Sequence, residues 1–191
     1  EDPVQSVMDR LTPVSDLEHV TDVQWVIEAV FEEKALKIEI FEKLDSLTSA
    51  QIPLATNTSS IPISRIAQAT RTPQRILGLH FFGPVPFMGL VEVVRGEKTS
   101  EEIFSRGVQF VKSLGKTPIK VQKDLPGFVM NRIFGAAFRE CVDLVANGIA
   151  CPEDIDNGMR LGYGWNIGPF EIADNAGLDT FERVGKTMQA L

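Results

Sequence analysis

Apolar residues fall into two kinds of run between positions 23 and 121. Residues 23–30 (Val-Gln-Trp-Val-Ile-Glu-Ala-Val), 52–57, 76–79, 90–94 and 117–121 are short and apolar-rich, and read as strands. The first is continuous enough to predict a parallel strand covered on both faces. The segments between them follow a helical period: 34–47 carries apolar residues at 36, 38, 40, 41 and 44. Thr58-Ser59-Ser60 offers N-cap oxygens to a helix over 61–69, and Thr99-Ser100-Glu101-Glu102 is a capping box opening a helix that ends at Gly115. Residues 1–22 are polar and weakly patterned, a short helix followed by a loop. Strands alternating with helices predict a doubly wound parallel sheet.

After Asp124-Leu125-Pro126-Gly127 the pattern changes. Residues 129–147, 152–161 and 178–191 all read as helix with no strand among them. The expected fold class is therefore α/β followed by a smaller all-α part, with a boundary near residue 124. The only near match to a glycine-rich phosphate turn, Gly162-Tyr163-Gly164-Trp165-Asn166-Ile167-Gly168, has the wrong spacing and lies between helices, so it reads as a connecting loop. On this reading the domain over residues 1–124 either binds no dinucleotide or is a partial dinucleotide-binding domain lacking its glycine-rich first βαβ unit, and residues 125–191 are a helical domain.

Composition narrows the function. The 191 residues are 43% hydrophobic and 24% charged, as in globular proteins. A net charge of -7 with no basic cluster argues against a nucleic-acid partner. No apolar run approaches the roughly eighteen residues of a membrane span. Cys141 and Cys151 form no CxxC or zinc spacing, so no metal is expected and a reducing, cytoplasmic setting is. Glu1 is not an initiator methionine, which leaves a mitochondrial matrix location open.

The candidate chemistry centres on residues 80–92. Strands 76–79 and 90–94 are separated by two prolines and two glycines, which force a turn and bring His80 beside Glu92. Glu92 lies among Val91, Val93 and Val94, where a buried charge needs a partner. A carboxylate-held imidazole at a strand end suits general acid–base work near neutral pH. Ser59 and Ser60 follow a strand end and read equally as helix caps or substrate contacts. Asn131, in the first turn of the long helix after Pro126-Gly127, is placed to hydrogen-bond across a domain cleft or simply to cap. Glu28, Glu32, Glu33, Lys34 and Lys37 read either as a solvated helix start or, for Glu32 and Lys37, as cleft residues. Cys141 reads as helix packing and His19 as acidic surface.

Several ordered motifs resemble the L-3-hydroxyacyl-CoA dehydrogenase family, of the 3-hydroxybutyryl-CoA type. They are residues 26–32 (Val-Ile-Glu-Ala-Val-Phe-Glu), 56–60 (Thr-Asn-Thr-Ser-Ser), 80–86 (His-Phe-Phe-Gly-Pro-Val-Pro), 90–94, 126–132 (Pro-Gly-Phe-Val-Met-Asn-Arg), 153–156 and 168–171. The resemblance implies the C-terminal part of a Rossmann-like NAD-binding domain and an oxidoreductase of fatty acid β-oxidation. It would interconvert an L-3-hydroxyacyl-CoA and a 3-ketoacyl-CoA with NAD. It makes His80 the general base, Glu92 its orienting carboxylate, and Ser59 and Asn131 partners of the substrate oxygens. Glu32, Lys37, Asn57 and Ser59 match positions near the cofactor. It further implies an acyl-CoA substrate and a homodimer formed through the helical domain. Gly83 departs from the family pattern, in which Asn is common. The alternatives are a non-catalytic acyl-CoA or protein-binding module without a cofactor site, and a related dehydrogenase of small hydroxy acids.

Overall fold

The computed structural model describes residues 3–177 and Gly185. Five strands form one mixed sheet in the order β1 (Val26–Glu28), β2 (Leu54–Thr56), β3 (Ile76–Phe81), β4 (Leu90–Arg95) and β5 (Thr117–Val121). All neighbouring pairs are parallel except β3 and β4, which run antiparallel as the proline–glycine turn requires. The helices are α1 (Pro3–Met8), α2 (Lys34–Leu47), α3 (Ile63–Ala67), α4 (Glu101–Ser113), α5 (Met130–Ala146), α6 (Pro152–Tyr163) and α7 (Pro169–Ala176).

The sheet is covered on both faces, and the period of two along each strand sorts the residues. Phe41 and Leu44 of α2, with Ile63 and Ile66 of α3, pack with Leu54, Ile76 and Val94 on one face. Ile103, Phe104, Val108 and Val111 of α4 pack with Ala55, Leu77, Leu79, Val91 and Val93 on the other. Glu28, Thr56, His80 and Glu92 alternate onto the α2–α3 face. Gly78 lets α3 close on that face: a Cβ there would lie 2.8 Å from Ile63 Cδ1 and 2.9 Å from Val94 Cβ.

Several expectations need correction. The strand expected over 23–30 is only three residues long. Among the described residues β1 is the sheet edge, and Ile27 is 39% exposed rather than covered. The N-cap of α3 is Pro62, without a side-chain bond; ahead of it the Thr58 hydroxyl accepts the Ile61 N–H at 3.0 Å, while Thr58, Ser59 and Ser60 donate to Glu32. The cap of α4 is Ser100, whose hydroxyl accepts the Ile103 N–H, while Thr99 turns inward onto the Ile76 carbonyl. Strand β3 runs on to Phe81, so His80 is its penultimate residue. Residues 164–168 connect α6 to α7, a helix the periodicity missed. Its start signal is Pro169 at the first helical position and Glu171 accepting the Gly168 N–H at 2.8 Å. The helix expected over 178–191 lies outside the described residues, Gly185 excepted.

Candidate active site

His80 and Glu92 are register partners across the antiparallel β3–β4 pair. Imidazole Nδ1 and carboxylate Oε2 are 2.8 Å apart, with His80 4% and Glu92 0% exposed. A carboxylate accepts and cannot donate, so Nδ1 carries a proton, and the neutral form of the ring has its lone pair on Nε2. The rings of Phe82 and Phe128 lie 4.6 and 5.8 Å from the imidazole, centroid to centroid. The turn joining the strands is held by Lys116, whose ammonium donates to the Val85 and Met88 carbonyls at 2.7 Å each.

The other oxygen of Glu92 is also engaged. Oε1 accepts the backbone N–H groups of Val129 and Met130, each at 3.0 Å, at the start of α5. Helix α5 has no side-chain cap from its own N-cap residue, so Glu92 serves two of its orphan donors from another element. One carboxylate therefore joins the imidazole to the helical part of the chain.

The loop after β2 forms the adjacent wall. Asn57 accepts the Phe81 N–H on Oδ1 at 2.8 Å, and its own N–H donates to the Glu28 carbonyl at 2.8 Å. Glu32 Oε1 accepts from Thr58 Oγ1 (2.6 Å), Ser59 N (3.0 Å), Ser60 N (2.9 Å) and Ser60 Oγ (2.9 Å). Burial alone would raise the Glu32 carboxyl above its usual range. The Thr58 hydroxyl, the Lys37 charge and the Ser60 groups outweigh it and hold the carboxyl below that range. Asn131 Nδ2 donates to the Ser59 carbonyl at 3.2 Å, closing the wall against α5.

Lys37 is 1% exposed and does not face a cleft. Its ammonium donates to Glu28 Oε1 at 2.7 Å and to the Val30 carbonyl at 3.3 Å, and lies 3.5 Å from Glu32 Oε2. Glu28 Oε2 in turn accepts the Thr56 hydroxyl at 2.7 Å. Lys37 thus acts on the site from behind, through Glu28 and Glu32.

The seven candidates, His80, Glu92, Ser59, Asn131, Asn57, Glu32 and Lys37, come together in one region. The structure adds Glu28, Thr56 and the amides of Val129 and Met130. His19 is exposed at the surface, and Cys141 is buried in α5. An open cleft of about 720 Å³ near Arg65, Arg95, Lys123 and Asp124 contains none of the seven, so the site is assigned from its chemistry and not from cleft size. Among the described residues no cluster of His, Cys, Asp or Glu could hold a metal ion, and no helix is long and apolar enough to cross a membrane.

A mostly parallel sheet covered by helices, with a carboxylate-held imidazole beside a helical part, defines a Rossmann-like frame. Residues 1–125 match the family model for the NAD binding domain of 3-hydroxyacyl-CoA dehydrogenase, and residues 127–191 match that for its C-terminal domain. The chain belongs to the 3-hydroxyacyl-CoA dehydrogenase family. It is 44% identical over 180 residues to a probable 3-hydroxybutyryl-CoA dehydrogenase of Bacillus subtilis, covering 94% of this chain and 62% of that protein. It is 45% identical over 175 residues to the mitochondrial hydroxyacyl-coenzyme A dehydrogenase of Mus musculus, covering 92% and 55%. The crystal structure of (S)-3-hydroxybutyryl-CoA dehydrogenase PaaH1 from Ralstonia eutropha superposes with a TM-score of 0.91 at 39% identity, covering 97% of this chain and 65% of that one. The chain thus spans roughly three-fifths of the length of these relatives.

Proposed function

We propose that the chain is the catalytic part of an NAD-dependent 3-hydroxyacyl-CoA dehydrogenase that interconverts an L-3-hydroxyacyl-CoA and the 3-ketoacyl-CoA. The observation that carries this reading is the 2.8 Å contact of His80 Nδ1 with Glu92, which leaves Nε2 as the acceptor nitrogen. In the oxidative direction Nε2 takes the proton of the C3 hydroxyl while the C3 hydride leaves. In the reductive direction the same nitrogen returns the proton to the C3 oxygen. Glu92 fixes the tautomer and offsets the charge of the imidazolium.

Ser59 and Asn131 position the substrate oxygens. Ser59 is half-buried beside Asn131, and no hydrogen bond engages its Oγ among the described residues. A wall built from Glu32, Asn57 and Ser59, with Lys37 behind it, would line the cofactor site. The fit rests on its chemistry: the ends of β2 and β3 carry a loop whose hydrogen bonds are satisfied from behind by Glu32, so its front is left for a ligand. The bound nicotinamide supplies the hydride acceptor or donor.

We take residues 1–124 as the cofactor-side part, without a glycine-rich βαβ unit, and residues 125–191 as the helical part. Exposed Ile133, Val142, Leu161 and Tyr163 on α5 and α6 support homodimer formation through the helical part. The test is NADH oxidation by the intact gene product with acetoacetyl-CoA as acceptor. Turnover dependent on both supports the reading. Tight acyl-CoA binding without turnover would favour the non-catalytic alternative.

A further inference from the structure

Phe128 has a backbone φ of 48°, and it is the only non-glycine residue with positive φ among those described. For a bulky side chain this left-handed region is an outlier that the surroundings must impose. The local cause is visible. The Leu125 carbonyl accepts the Phe128 N–H at 2.9 Å, with Pro126 and Gly127 (φ 74°) at the central positions, the pattern of a type II turn. Glycine would hold the next, left-handed position at less conformational cost. A phenylalanine stands there instead, 2% exposed, with its ring in the α2–α3 core and 5.8 Å from the imidazole of His80.

The consequence lies one and two residues further on. Leaving Phe128 in this conformation, the chain directs two successive N–H groups, those of Val129 and Met130, onto the single oxygen Glu92 Oε1. With Oε1 held, Oε2 is fixed on Nδ1 of His80.

We propose that Phe128 is a positioning residue for the His80–Glu92 pair. Its left-handed backbone aims the first amides of α5 at Glu92, and its ring backs the imidazole. The role rests on the dehydrogenase reading for its effect on rate, but its geometry is testable without turnover.

The experiment compares Phe128→Ala with Phe128→Gly in the intact gene product. Steady-state reduction of acetoacetyl-CoA by NADH is one readout. The amide resonances of Val129 and Met130, followed by NMR with 15N-valine and 15N-methionine labelling, are the other. Both variants lose the ring, but only glycine accepts the left-handed backbone freely. The proposal expects Phe128→Ala to lower kcat about tenfold with KM for acetoacetyl-CoA within about twofold, and to move both amide resonances. Phe128→Gly should keep kcat at least about threefold above the alanine variant, with the two amides nearer their wild-type positions.

If packing alone mattered, alanine would do as well as glycine or better. That ranking, or unmoved Val129 and Met130 amides in the alanine variant, overturns the proposal. Should neither variant fold, Glu92→Gln replaces them. Both amides must then shift upfield together as the charged acceptor is lost, and unmoved amides overturn the link. Absence of turnover in the wild type would count against the dehydrogenase reading, while the amide arm would still decide the geometry.

Discussion

Asn131 reaches across 72 positions to the loop after β2, where its Nδ2 donates to the Ser59 carbonyl at 3.2 Å. This bond ties the first turn of α5 to the wall that Glu32 holds from behind. The helical part is therefore fixed to the sheet at two points beside the imidazole, here and through Glu92.

Asn131→Ala removes that donor and leaves a half-buried carbonyl without it. We expect kcat/KM for acetoacetyl-CoA to fall about tenfold, near the worth of one neutral hydrogen bond. Asn131→Asp, which sets a carboxylate against a carbonyl, should lose more. Steady-state kinetics on the two variants checks the ranking.

Lys37 and Glu28 form a buried ion pair, with each side chain 1% exposed. Lys37→Met leaves Glu28 buried without its cation and should destabilise the fold by roughly 3–5 kcal/mol. Adding Glu28→Gln should recover much of that loss, because the uncompensated charge goes with it. Denaturant unfolding of the single and double variants measures both numbers.

The same pair shows where the sequence was and was not legible. Glu92 stood out because a carboxylate inside an apolar strand run demands a partner, and the proline–glycine turn placed His80 within reach. Glu28 sits in residues 23–30 in the same way. Its neighbourhood of Glu32, Glu33, Lys34 and Lys37 made a solvated helix start look equally good, and the buried pair was missed. The amides of Val129 and Met130 were invisible for a different reason: main-chain donors carry no residue-type signature. The fold class, the α2 boundaries and β5 were readable from periodicity. The extent of β1 was not, because apolar residues at a sheet edge look the same in sequence as covered ones.

Glu32 gives a pH dependence. Its carboxyl is held below the ordinary value in the folded chain, against a desolvation cost that alone would raise it. The unfolded state therefore binds the proton more readily, and stability rises with pH through this window. The contribution is complete above the ordinary carboxylate pKa and is lost as pH falls through the lowered folded value. Glu32→Gln should flatten this acid-side loss. Unfolding midpoints across the acid range for both proteins check it; parallel curves would contradict it.

Gly168 is required for a steric reason, since its φ of −74° suits any residue. A Cβ there would overlap the carboxyl of Asp156, which accepts the Phe170 and Glu171 N–H groups at 2.8 and 3.1 Å. Gly168→Ala should displace that carboxylate from the start of α7 and cost about 1–3 kcal/mol. Its effect on kcat should be small, because α7 supplies none of the seven site residues. Thermal unfolding together with steady-state kinetics separates the two effects.

The proposed chemistry turns on the imidazole. In the intact gene product, His80→Gln should lower kcat for acetoacetyl-CoA reduction at least about a hundredfold, the scale of a lost general acid. NAD affinity, measured by calorimetry on the same preparation, should stay within about twofold because Nε2 makes no call on ground-state cofactor binding in this account. Near-normal turnover by the glutamine variant would remove His80 from the chemistry and contradict the account.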